Sequence, residues 1–395
     1  MLKFALVSHV LPPSWSGQSI ILGRLLKDIN PESYILISRM KNQTNVPFYQ
    51  IKSLLDFLPF STLLYHPFIS RFPWLKKFLF KQELFFRSIQ IKKIIRKEKC
   101  KSIVACSGDI FDIPASYCVG KELEIPVIPY YFDDYVYQWS DSFTREFAYN
   151  FENLIFKHNN KVLVPNEFMQ IELLRRQNVT ATLIRNPVNP ESRTPFSIEN
   201  RSKQMHTILY TGAVYHVNLS ALRTLITAIN QINEINMNFH LYTAQSKELL
   251  ENEGISGDKV KIHGHASPKE IAFAQQNADI LFIPFSFDSI VPEVIKTSAP
   301  GKLADYLVSG VPILAFVPPD CFVAWFLKTN YCGLVIDKND PQLLKKRIVE
   351  LILDHKLQRK IVHNAQIIAE NEFDVKNESH KFYYSIMQAM GYLIN

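Results

Sequence analysis

Cysteine is scarce and unpatterned: Cys100, Cys106, Cys118, Cys321 and Cys332 are odd in number, include no C-x-x-C pair and show no metal-ligand spacing. That usage gives no cysteine metal site and suits a reducing cytoplasm. No run approaches the ~18 apolar residues of a membrane span, and residues 2–10 lack the length and small-residue cleavage site of a signal peptide. A soluble or peripheral protein of the cytoplasm, at most on the inner face of a membrane, is therefore expected. No G-x-G-x-x-G follows the first apolar strand, which ranks dinucleotide-dependent redox chemistry last. No Asp-x-Asp metal motif occurs either, so neither a metal nor another cofactor is expected. Low-complexity sequence is also absent, and a chain that is 47% hydrophobic and 21% charged belongs with ordered globular proteins.

At 395 residues the chain exceeds what one hydrophobic core usually organises, so two domains are expected. Its net charge of +7 is unevenly spread. Lys76, Lys77, Lys81, Arg87, Lys92, Lys93, Arg96 and Lys97 are interleaved with Phe72, Trp74, Phe78, Phe80, Phe85 and Phe86. Such a stretch suits an anionic membrane surface, where cations meet headgroups and rings enter the interface. A pair of core helices with solvated outer faces fits it equally. Nucleic acid, which would use the same charge, ranks well behind and is not expected as a partner.

Short β-rich apolar runs alternate with helical patterns from end to end, the pattern of parallel sheets with helices on their faces. Strands are expected at Lys3–Val7, Tyr34–Ile37, Ser102–Ala105, Val127–Tyr131 and Lys161–Val164, with a helix from Ser19 to Ile29. The basic aromatic segment between the second and third strands should be helical, with breaks at Pro59, Pro67 and Pro73. Arg185-Asn186-Pro187-Val188-Asn189-Pro190 opposes a continuing helix and marks the boundary, dividing the chain into 1–187 and 188–372. The second half repeats the alternation, with strands at Thr207–Thr211, Asn238–Tyr242, Val260–Ile262, Ile280–Ile283, Pro312–Phe316 and Gly333–Ile336. Helices are expected at Leu219–Asn230, Pro268–Asn277, Gly301–Ser309, Asp320–Lys328 and Pro341–Leu353. Two doubly wound sheets of this kind bind ligands outside the carboxyl ends of their strands, in a cleft where the two face each other.

The segment Ser298 to Leu314 carries the most chemistry. Pro300 and Gly301 sit where a loop enters a helix, whose first N–H groups favour phosphate, and Lys302 adds a full charge in the first turn. Asp305 lies on the same face, where its carboxylate could accept from ribose hydroxyls. A plain amphipathic helix, with Leu303, Tyr306 and Leu307 in the core, fits the same spacing.

Pro-x-Lys-Leu-x-Asp-Tyr-Leu-x-x-Gly-x-Pro-Ile-Leu resembles the donor-binding motif of retaining GT-B glycosyltransferases of the large nucleotide-sugar-dependent family, family 4-like. The resemblance runs from Pro12-Pro13 through Asn186-Pro187 to the last helices. It implies a GT-B fold of two Rossmann-like domains, an acceptor-binding one first and a donor-binding one second, with a tail from 373 to 395 returning to the first. It also implies that Lys302 meets the diphosphate and Asp305 the ribose, with Gly301 and Leu303 beside them. The chain departs from the family at Thr297, where many members have Glu, and in Asp305, where Glu is usual. Gly212-Ala213-Val214-Tyr215-His216 also lacks the Arg and Lys common there, which leaves Gly212 and His216 as the donor contacts of that loop.

In the first domain, Ser16-Gly17 stands where relatives carry paired glycines; Gly17 should face the donor phosphates and Ser16 the acceptor. Asp133 and Asp134 follow an apolar strand, where adjacent carboxylates repel and one has a raised pKa or both bind acceptor hydroxyls. The residue bordering the reacting sugar in related transferases corresponds to Asp133 first and Asp134 second. Asp134 as a helix cap is the plain alternative. Asp109, after the preceding strand, is a weaker acceptor candidate. Gly264, within His263-Gly264-His265, is read as a turn beside the nucleotide base; two histidines without a third ligand do not make a zinc site. Glu293, ending the loop from Phe285, is a candidate contact for the transferred sugar.

The expectation is a hexosyltransferase that moves a sugar from a nucleotide-sugar donor to a glycan or lipid-linked acceptor with retention, in polysaccharide or glycolipid assembly. Asp133 and Lys302 carry the catalytic roles. A sugar-nucleotide epimerase of the same fold and an inactive transferase-like binding subunit are the alternatives.

Overall fold

A computed structural model describes residues 2–14, 16–39, 49–55, 69, 71–159, 161–196 and 205–392. Pro59 and Pro67 lie outside the described residues. The chain forms two compact units, one of Met1–Ile184 with Glu378–Asn395 and one of Arg185–Asn377.

The first unit is built on β1 (Phe4–Val7), α1 (Gly17–Leu26), β2 (Tyr34–Ser38), β3 (Ile51–Ser53), α2 (Pro73–Glu98), β4 (Ser102–Cys106), α3 (Asp112–Leu123), β5 (Val127–Tyr130), α4 (Ser142–Phe156), β6 (Leu163–Val164), α5 (Glu167–Gln177) and β7 (Thr182–Leu183). Its sheet is parallel throughout, in the order β3-β2-β1-β4-β5-β6-β7. Runs such as Phe4–Val7 and Ser102–Cys106 are buried along their whole length, as strands covered on both faces must be. One face packs Ile91, Ile95, Phe111 and Ile113 of the helices against the sheet, and the other packs Leu22, Leu25, Phe382 and Ile386. From Pro73 onward the basic aromatic segment is a 26-residue helix, and Arg71 and Phe72 before it are not helical, so the expected interruption at Pro73 is its starting point. At N1 a proline loses no hydrogen bond and its fixed φ suits the first turn. Lys99 ends the helix in the left-handed region at φ 56°.

The second unit has β8 (His206–Thr211), α6 (Leu219–Asn230), β9 (Met237–Tyr242), α7 (Lys247–Asn252), β10 (Val260–His263), α8 (Pro268–Asn277), β11 (Ile280–Pro284), α9 (Pro292–Thr297), α10 (Lys302–Val308), β12 (Ile313–Phe316), α11 (Phe322–Thr329), β13 (Leu334–Ile336), α12 (Pro341–Leu353) and α13 (His355–Glu372). Its parallel sheet runs β10-β9-β8-β11-β12-β13. Ser267 and Glu270 form a reciprocal capping box at α8, which is why that helix begins where the sequence places it.

The segment expected at the boundary starts the second unit and is a packed part of it, with Arg185, Asn186, Pro187 and Val188 all buried. Arg185 pairs with Glu372 at 2.7 Å and stacks its guanidinium over Phe322, Phe326 and Phe373. The last helix, α14 (Val375–Ala389), contributes its residues from Glu378 onward to the first unit. There Phe382 meets Phe4 edge-on and the Ser379 hydroxyl donates to the Leu25 carbonyl at 2.7 Å.

In both sheets the order reverses between two adjacent strands, β1 and β4 in one unit and β8 and β11 in the other. The carboxyl ends of those strands open the crevice where ligands of such sheets bind.

Candidate active site

In the second unit, that crevice is lined by the loop after β8. Asn218 and Gln245 set its shape: Asn218 Nδ2 donates to the Tyr210 hydroxyl and the Ala213 carbonyl, and Gln245 Nε2 donates to the Val214 carbonyl at 2.7 Å. The loop leaves Ala213, Tyr215 and His216 exposed. Ser286, after β11, donates its backbone N–H to the Val217 carbonyl at 2.7 Å, so the loops after both strands are tied together.

Lys302 opens α10 and reaches into this crevice. Its ammonium lies 3.8 Å from the centroid of the Tyr210 ring and would stand 2.8 Å from a Cβ at Gly212. Gly212 has φ +134°, which L side chains rarely adopt, and its bare Cα admits the lysine. Among the described residues no carboxylate pairs with Lys302, and desolvation pushes its pKa down to about 7. The residue keeps part of its surface open. A desolvated cation lying on a ring face, with no anion among the described residues, is chemically ready to take one from a ligand.

The residues around Lys302 are held from below. Tyr306 is buried, and its hydroxyl accepts from the Thr211 backbone N–H at 3.3 Å, fixing α10 to the end of β8. The Asn186 side-chain amide donates to the Ala299 carbonyl at 2.9 Å, and Pro300 accepts from the Leu303 N–H, shaping the turn before the helix. Gly301 and Asp305 are partly exposed, whereas Leu303 is buried. Leu303 is thus a packing residue that seats the helix, a correction to its place among the donor contacts. The helix ends at Gly310, φ +75°, where a Cβ would overlap the Thr194 carbonyl oxygen. Gly310→Ala is expected to lower stability by about 1–3 kcal/mol in urea denaturation. An unchanged midpoint would show that the Thr194 segment moves aside freely.

Two other expected donor residues stand differently. Glu293 belongs to the first turn of α9, where the sequence reading had a loop; it is partly exposed, and its carbonyl accepts from the Thr297 hydroxyl. Gly264 is exposed after β10, the edge strand, two strands removed from β8, and a Cβ there would meet nothing within 4 Å. Two strand spacings, about 10 Å, thus separate the end of β10 from the end of β8.

In the first unit, Ser16 caps α1 by accepting from the Ser19 N–H at 3.3 Å, and Gly17 is exposed in its first turn. Asp133 is exposed after β5, and desolvation followed by the Asp134 charge raises its pKa above the ordinary carboxylate range. Asp134 is fully buried. It accepts from the Val136 and Tyr137 N–H groups and pairs with Arg176, which also holds Glu152 and Glu172. Asp134 is therefore a capping and ion-pair residue, and not the exposed acceptor contact expected of it.

Asp109 is corrected in the same way. It is buried against Arg87 and Arg39 and accepts from the Phe111 N–H at 2.8 Å; burial raises its pKa, but the two arginines outweigh it and hold it low. Arg87 also binds Glu83 and Asp112, at 2.7 and 2.8 Å.

His9, absent from the sequence reading, stands at the carboxyl end of β1, the crevice strand of this unit. Gly108 makes room for it, since a Cβ there would overlap the imidazole. Its Nδ1 has no partner among the described residues, and desolvation lowers its pKa. No motif marks His9; the signal was the strand order, which places β1 beside β4.

Residues 205–354 match the family model described as Glycosyl transferases group 1. Over those residues the second unit is similar to group 1 glycosyltransferases. Lys302, Gly212, His216 and Asp305 all fall inside the matched residues. No curated protein matches the chain in sequence. Among solved structures, the chain is similar to sucrose-phosphate synthase from Thermosynechococcus elongatus, with TM-score 0.72 and 16% identity over 99% of this chain and 100% of that one. It is similar to Anabaena HepE, solved with UDP and glucose, with TM-score 0.68 and 13% identity over 98% and 100%. It is also similar to WaaG, a glycosyltransferase involved in lipopolysaccharide biosynthesis, with TM-score 0.66 and 12% identity over 97% and 99%. These likenesses establish the fold, two Rossmann-like units of GT-B type, and the residues matched by the family model lie in the second.

Proposed function

We propose that the chain transfers a hexose-type sugar, with retention, from a nucleotide-sugar donor to a glycan or lipid-linked acceptor in polysaccharide or glycolipid assembly. The observation that carries this reading is the Lys302 ammonium, desolvated over Tyr210 beside the bare Gly212 backbone and without a carboxylate partner among the described residues. A diphosphate supplies the missing anion. Charge grows on its oxygen as the sugar departs, and a cation already fixed there stabilises that charge without reorganising. Solved HepE with UDP-glucose supports a donor of this class.

His216, exposed in the same loop, adds a donor contact, and Asp305 takes the ribose. In the first unit, acceptor recognition falls to the exposed Asp133 and to His9 and Ser16. The reading needs no metal. It places the protein in the cytoplasm, peripheral to the inner face of a membrane.

A thermal-shift series with UDP-, GDP- and dTDP-sugars tests it. The true donor at a hundredfold over its Kd should add about 2.7 kcal/mol of stability and raise the melting temperature. The same donor should release its nucleoside diphosphate faster once acceptor is present. If no donor shifts the transition and none is cleaved, the reading is wrong.

A further inference from the structure

The eight cations of the basic aromatic segment separate once α2 is folded. Lys76 turns inward to Asp141 and the Phe143 ring, Arg87 is buried among three carboxylates, and Lys92 pairs with Glu122. Lys77, Lys81, Lys93, Arg96 and Lys97 remain exposed, with no carboxylate partner among the described residues. The two acids of the helix do not face them: Glu83 is buried on Arg87, and Glu98 is held by Lys3 and Lys52.

Between these cations the helix exposes large apolar side chains. Trp74 is 69% exposed, Phe78 53%, Phe85 58% and Ile89 40%. At 3.6 residues per turn, Trp74, Phe78, Lys81, Phe85, Ile89 and Arg96 fall within an arc of about 80°. The opposite arc carries the buried Leu79, Phe80, Glu83, Arg87, Ile91 and Ile95. The helix therefore has two apolar sides, and among the described residues only one of them has a core to cover it. Along the open side Trp74, Phe78 and Phe85 come first and Arg96 last, with Lys77 and Lys93 on its two flanks.

We propose that this outward face of α2 docks on an anionic lipid bilayer, with Trp74, Phe78 and Phe85 entering the headgroup boundary and the exposed lysines and Arg96 meeting lipid phosphates. Two features favour lipid over a second copy of the chain. The unpaired charge on the arc, Lys81 and Arg96, has one sign, so an isologous pairing would set cation against cation. Rings flanked by cations are the composition that interfacial helices use. The proposal names the surface for the membrane part of the functional reading and rests on that part alone.

The test is sedimentation of the full chain, without nucleotide sugar, with vesicles of phosphatidylcholine alone or mixed with phosphatidylglycerol. Binding to the mixed vesicles should exceed binding to neutral ones at least tenfold and should weaken as salt rises. The triple variant Trp74→Ser, Phe78→Ser, Phe85→Ser should lose about tenfold of that binding, and Lys81→Glu with Arg96→Glu a similar factor. All five side chains are on the open face, so the melting temperature should stay unchanged. No binding to anionic vesicles, or equal binding by wild type and both variants, overturns the proposal. A dimer in solution that the triple variant dissociates, with no vesicle binding, overturns it in favour of self-association. Donor-induced thermal shifts are independent of this face and report separately on the Lys302 site.

Discussion

Lys302→Ala should lower sugar transfer by about 10²–10³-fold while leaving the fold intact, the scale observed when one preorganised stabiliser of a developing charge is removed. The lysine forms no ion pair with the described residues, and desolvation already disfavours its charge, so its loss breaks no structural network. The cause of its low pKa also gives the variant a pH signature. Free enzyme loses this charge as pH rises through about 7, whereas a bound diphosphate favours the protonated form. Donor affinity should therefore fall as pH rises above 7, by up to about tenfold per unit, with proton uptake on binding. Calorimetric titration of a nucleoside diphosphate in two buffers of different ionisation enthalpy measures that uptake; Lys302→Ala should abolish it. Near-normal turnover in the variant would remove Lys302 from the donor site.

Arg87→Ala should cost about 3–5 kcal/mol in urea denaturation, because breaking a buried pair leaves the partner charges uncompensated. Arg87 is 2% exposed and binds Glu83, Asp109 and Asp112 together, and Asp109 also pairs with Arg39. Lysine should rescue little, since one ammonium cannot reproduce the fork that meets three carboxylates. A midpoint within about 0.5 kcal/mol of wild type, the range of an ordinary surface change, would show that the cluster is wet or already protonated.

Those two residues mark what the sequence could and could not disclose. The helix start at Lys302 was legible because the residues that form it are neighbours in sequence, Pro300, Gly301 and Asp305 among them. Asp109 and Asp134 were misread because their partners are distant, Arg87 22 residues away and Arg176 42. Nothing local distinguishes a carboxylate facing solvent from one facing a buried arginine. The long apolar strands, and helices with strong starts such as Pro341 after Asp340, stood where expected. Ile51–Ser53 and Thr182–Leu183 were too short to carry an alternation, and they form because an existing sheet edge accepts them. His9 carries no local signal at all, since its place follows from which strand lies beside which.

The return of Phe382 and Ile386 to the core around Phe4 and Leu25 orders events during synthesis. A ribosome makes most of the first unit early, yet that unit lacks part of its interior until Phe382 and Ile386 emerge, after the whole of the second. The second unit, Arg185–Asn377, has its whole stretch of chain earlier than that. Domains usually mature in the order in which they are translated. Here the half made first is finished last, and until then it presents an open apolar seam to whatever chaperone attends the nascent chain.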